Sequence, residues 1–175
     1  MRFVRTNDSS MLASLRLVTA PLDECWWSLG GSGFSPTRSF VERERLHDRA
    51  DDPHYARLQG LLGEYVEEHA GIGRVGRPGF FSRLGDTVDF NWSCHFAIAG
   101  DTLPLASLRV IQRFSTAWFD PLDALPTDVV LVARDIDGAY QEFGFRDEWM
   151  FTTVLHDLRN RGLPSDEVTN WTEGR

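Results

Sequence analysis

The chain of 175 residues contains no lysine: its eighteen Lys-or-Arg positions are all arginine. Without an ε-amine it can form no internal Schiff base, anchor no pyridoxal phosphate and offer no phosphate-loop or kinase-type lysine to a nucleotide. Arginine codons are GC-rich and lysine codons AT-rich, so base composition alone accounts for the bias; the chemical exclusion stands either way. Cysteine is scarce as well. Cys25 and Cys94 are too few for a disulfide scaffold or a structural zinc site and stand in no CxxC spacing. Both read as structural residues, Cys94 as a small hydrophobe on a strand face. Long apolar runs are missing too: no stretch approaches the roughly 20 residues that span a bilayer. Met1 to Ala20 interleaves Arg2, Arg5, Asp8 and Arg16 with short apolar pairs, unlike the core of a signal peptide. A cytoplasmic protein without a membrane partner is the expectation.

What is present suffices for one domain, residues 1–175. Hydrophobic residues make up 42%, with six tryptophans and twelve phenylalanines, far from the composition of a disordered chain. The formal net charge of −8 is unevenly spread. Between Asp120 and Glu148, the acids Asp120, Asp123, Asp128, Asp135, Asp137, Glu142, Asp147 and Glu148 are opposed only by Arg134 and Arg146. Such a region argues against nucleic acid as a partner and suits a basic protein surface. Solvated acids on turns and helix starts would give the same count.

Period-two alternation marks a strand from Thr87 to Ala99. It predicts a buried row of Val88, Phe90, Trp92, Cys94, Phe96 and Ile98, and a wetter row holding Asp89, Ser93, His95 and Ala97. Asp137-Gly138 suits a two-residue hairpin turn between Asp128–Ile136 and Ala139–Phe145. In that register Val130 faces Phe145, Val132 faces Phe143, Asp135 faces Tyr140 and Ala133 faces Glu142. A helix follows over Asp147–Arg161, with a stripe of Met150, Phe151, Val154, Leu155 and Leu158 and an exit at Gly162. Further helices are expected over Pro53–His69, Pro21–Leu29 and Thr37–Ala50, and the ambiguous Leu103–Trp118 leans to helix.

Each chemical motif meets an objection. Gly71-Ile72-Gly73-Arg74-Val75-Gly76 is a literal GxGxxG, but it follows a predicted helix rather than a strand, which makes it a helix exit and loop, not a dinucleotide cradle. His47, Asp48, Asp51, Asp52 and His54 have the residue types of a metal site without ligand spacing, so no metal and no cofactor is expected. Asp89, Ser93 and His95 share one strand row, yet alternate residues stand about 7 Å apart, and no nucleophile elbow or Gly-rich oxyanion turn adjoins Ser93.

The expectation is therefore an α+β domain with an antiparallel sheet of about four to six strands and helices packed on one face. The function expected is non-catalytic: an acidic protein-binding module that sequesters a basic partner, in the manner of a bacterial immunity or antitoxin protein. Its docking surface is placed on Asp120, Asp123, Asp135, Asp137, Tyr140 and Glu142, with any exposed tryptophan among Trp26, Trp27, Trp118 and Trp149 as an anchor. The alternative is a small enzyme or small-molecule binder with a pocket between sheet and helices using His95, Ser93, Asp89 and Arg109. A homodimer through an exposed aromatic patch is a further option.

Overall fold

The computed structural model describes residues 1–6, 15–30, 60, 62–84, 94–116, 124–136, 140–163 and 165–168, with the backbone of 35–36 and 88–89. Eight strands form one antiparallel sheet: β1 (Arg2–Thr6), β2 (Trp26–Leu29), β4 (Val66–His69), β5 (Gly73–Gly76), β7 (Cys94–Ile98), β8 (Val129–Ile136), β9 (Tyr140–Phe145) and β10 (Ser165–Val168). Their order is β10-β1-β9-β8-β7-β2-β5-β4, and the short β3 (Ser35–Pro36) and β6 (Val88–Asp89) pair separately. The α+β class holds, with more strands than the four to six expected.

Helices cover both faces rather than one. On the first face, a 3₁₀ turn (Arg16–Val18), α1 (Thr19–Asp23), α2 (Phe80–Leu84) and α4 (Glu148–Asn160) bury Leu22, Phe81, Phe151 and Leu158 against Val4, Trp27, Leu131 and Phe143. Trp27 anchors this layer, stacked on Phe81 at 5.5 Å between centroids, its indole N–H donating to the Leu22 carbonyl. On the second face α3 (Leu105–Thr116) sets Leu108 and Ile111 against Phe96, Ile98, Val129 and Val132. Central strands buried from both sides carry apolar residues in both rows. This is why His95 and Ala97, expected on a wetter row, lie at 2% and 0% exposure.

Three segments depart from their local signals. The helix expected over Pro21–Leu29 ends at Asp23, and Trp26–Leu29 becomes a strand between β7 and β5. Helical spacing of Leu22, Cys25, Trp26 and Leu29 is outweighed by pairing on two sides, since strand preference is mostly a matter of context. The helix expected over Pro53–His69 is helical at residues 60 and 62–65, then turns to strand at Val66. The GxGxxG is the turn and second strand of the β4–β5 hairpin, with Gly71 at φ 74° and Gly73 at φ 89°, conformations that glycine adopts without strain. The expected helix at Thr37–Ala50 and the part of the long strand at residues 90–93 lie outside the described residues.

The hairpin at residues 136–140 is present but shifted by one residue. Leu131 faces Phe145, Ala133 faces Phe143 and Ile136 faces Tyr140, so three residues connect the strands instead of two. The shift moves Val132 to the second face, beside Phe96. α4 matches its expected bounds: the Asp147 side chain accepts from the Met150 amide at 2.9 Å, and Gly162 at φ 68° ends it with the Leu163 amide donating to Leu158. α3 bears out the helical leaning for Leu103–Trp118.

In β9, Gly144 lies directly under the Phe3 ring. A Cβ there would overlap Phe3 Cε1 and stand 2.8 Å from Cδ1 and Cζ of a side chain only 6% exposed. Gly144→Ala is expected to cost about 2 kcal/mol by overpacking, lowering Tm by about 4–8 °C, with part of the loss restored by adding Phe3→Leu. Thermal unfolding followed by circular dichroism checks it; an unshifted Tm for the single variant would contradict this packing.

Candidate functional site

The acidic stretch does not form one patch among its described residues. β8 and β9 place the Asp135–Gln141 pair near one end of the sheet, whereas Asp147 and Glu148 follow the other end of β9. Six strand residues separate these ends, about 20 Å of chain. Asp128 accepts from the Ser107 hydroxyl at 2.6 Å, Asp147 caps α4, and Glu148 pairs with Arg2. Asp120, Asp123 and Asp137 lie outside the described residues, and Asp135 and Tyr140 are described in their backbone pairing alone.

Glu142 corrects the proposed surface most clearly: at 2% exposure it cannot meet a partner. The one-residue register shift sets it opposite Arg134 on β8, and the β1–β9 pairing sets it opposite Arg5. Arg5 Nε donates to Glu142 Oε1 at 2.7 Å and Arg134 Nε donates to Oε2 at 2.7 Å, and both arginines add a second contact through their terminal nitrogens. Each carboxylate oxygen thus serves one guanidinium, and the charge-assisted bonds offset the desolvation that burial imposes.

The alternative catalytic set is not assembled either. His95 shares a strand face with Ala97 and is packed into the first core, where burial pushes its imidazole down to about 3. Arg109 is exposed on α3, which covers the opposite face of the sheet. Asp89 belongs to the separate two-stranded sheet, and Ser93 lies outside the described residues, as does the His47–His54 segment. Among the described residues there is no grouping of three or more metal-ligating side chains. Both cysteines are free, and burial raises the thiols to about 11 for Cys25 and about 12 for Cys94. They are poor nucleophiles at neutral pH.

A groove of about 660 Å³ opens instead where β7 leaves the sheet and α4 begins. Glu24 and Cys25 come from the exit of α1, Asp101 from the turn after β7, Val130 from β8, and Asp147 and Trp149 from the start of α4. Cys25, Val130 and Met150 give it an apolar base. Among the described residues its lining contains three carboxylates and no cationic side chain. Trp149 is 58% exposed, the most exposed large hydrophobic residue described. Nearby cations are engaged elsewhere: Arg146 donates to the Val129 and Pro126 carbonyls, and Arg2 bridges Glu148 and Glu167 while lying 4.0 Å from the Phe151 ring centroid. Glu24 and Asp101 have no ion-pair partner among the described residues.

Sequence reasoning named Trp149 as a possible anchor but missed Glu24 and Asp101. The signal for Trp149 was legible: it is off the apolar stripe of its helix, on the side of the exposed Thr152 and His156. Glu24 and Asp101 are distant in sequence and line one groove because β2, β7 and β8 are neighbours.

Comparison with family models, curated proteins and solved structures finds no match. No described helix is long and apolar enough to cross a membrane.

Two outcomes follow. Glu142→Gln leaves two largely buried arginines without their carboxylate and is expected to cost about 3 kcal/mol, measured by urea unfolding; an unchanged midpoint would contradict the relay. The depressed His95 imidazole binds no proton in the folded state between about 3 and its ordinary 6.5, whereas the unfolded chain does. Stability therefore rises with pH across that window and is lost on acidification from 6.5, by up to about 1 kcal/mol per pH unit. His95→Gln should flatten the part of the urea-midpoint shift between pH 7 and pH 4.5 that His95 causes.

Proposed function

We propose that the protein is a non-catalytic docking module for a basic protein partner, acting by occupancy as immunity or antitoxin proteins do. The docking surface is the Trp149 groove rather than the hairpin at residues 135–142. The observation that carries this reading is an exposed indole in a groove whose described lining holds three carboxylates and no cation. A solvent-facing tryptophan keeps apolar area in water until something covers it, and aromatic side chains of this kind dominate binding energy where a partner excludes water around them. Glu24 and Asp101, which have no ion-pair partner among the described residues, would steer a basic partner and reject an acidic one. An enzymatic reading around His95 has no comparable support, because a buried neutral imidazole in the apolar core reaches no substrate.

The test starts from capture by the immobilised protein, identification of the captured chain and titration of that purified chain by calorimetry. The partner is expected to be basic, and the double variant Glu24→Gln/Asp101→Asn to bind it at least about tenfold more weakly in 50 mM salt, with a smaller difference in 300 mM salt. A neutral or acidic partner, or affinity indifferent to both substitutions, would refute the docking surface.

A further inference from the structure

We infer that the groove reads an arginine side chain of the partner, its guanidinium laid on the Trp149 indole and its N–H groups turned to Asp101 and Glu24. This rests on the docking function proposed above and specifies its ligand. Guanidinium is flat, weakly hydrated and able to stack on an aromatic face while donating in its own plane, which an ammonium cannot do. The groove supplies both halves of that chemistry: a tryptophan face at 58% exposure and carboxylates from two other segments of the chain. The protein already uses the same geometry internally on the same helix, where the Arg2 guanidinium lies over Phe151 and reaches Glu148 and Glu167. That arginine is thereby committed, and no cation of the described lining can fill the role at Trp149. A volume of about 660 Å³ exceeds one side chain and leaves room for a neighbouring apolar residue over Cys25, Val130 and Met150. The ligand is therefore an arginine next to an aliphatic residue in an extended segment of another protein.

The probe is the acetylated and amidated pentapeptide Gly-Leu-Arg-Leu-Gly, compared with the same peptide carrying citrulline, which keeps the shape and removes the charge. Saturable binding of the arginine peptide by calorimetry, weakened about fivefold to tenfold by citrulline and by Trp149→Ala and only partly by Trp149→Phe, is the expected result. Trp149 is solvent-facing, so an unchanged thermal melt of the alanine variant separates loss of binding from loss of fold. Equal binding of the citrulline peptide, or no effect of Trp149→Ala, overturns the inference. If the arginine peptide fails while the captured partner still depends on Glu24 and Asp101, the arginine assignment falls and the docking function survives; if both fail, both fall.

Discussion

A single carboxylate held between two guanidinium groups fixes how the centre of the sheet is assembled. Glu142 on β9 meets Arg5 on β1 and Arg134 on β8, so three adjacent strands are pinned at one level by charge-assisted bonds in a region with little solvent. A slip of one residue in either pairing would turn an ionised side chain toward the opposite, apolar core, where it has no partner. Apolar contacts alone would discriminate less, because both rows of the central strands are hydrophobic. The ion relay supplies register; the two cores supply most of the driving force.

The same fact separates what could be read from the chain and what could not. α4 announces itself through its Asp cap, its stripe of Met150 to Leu158 and its glycine exit, and it lies where those signals place it. The β8–β9 hairpin is visible from its two apolar runs, but its register is not: Asp137-Gly138 favours a two-residue loop, and the packing of Phe143 against Ala133 and the pairing of Glu142 with Arg134 choose three. Trp26–Leu29 and Val66–His69 have locally helical spacing and become strands through neighbours far away in sequence. Burial on both faces hides the central strands from period-two reasoning, which expects one wet side.

The groove shows the same limit. Trp149 could be picked out as a large aromatic residue on the polar side of an amphipathic helix. Its companions Glu24 and Asp101 could not, since only the strand order brings the exit of α1, the end of β7 and the start of α4 to one end of the sheet. A count of acids along the chain overstated the hairpin and overlooked this end, because charge in sequence says nothing of which carboxylates are already spoken for by caps, hydroxyls and arginines.

The position of β1 has a consequence for how the protein is made. It precedes the other described strands in the chain, yet it sits between β9 and β10, the last two of them. Its hydrogen-bonding partners are about 140 residues downstream in β9 and about 160 in β10, so the sheet cannot close around it until both have been made. Until then Phe3 and Val4 belong to an unmatched edge that invites pairing with other nascent chains, a hazard that early chaperone engagement would relieve. Arg2, which ties α4 to β10 through Glu148 and Glu167, can make both ion pairs only after those two segments have been made.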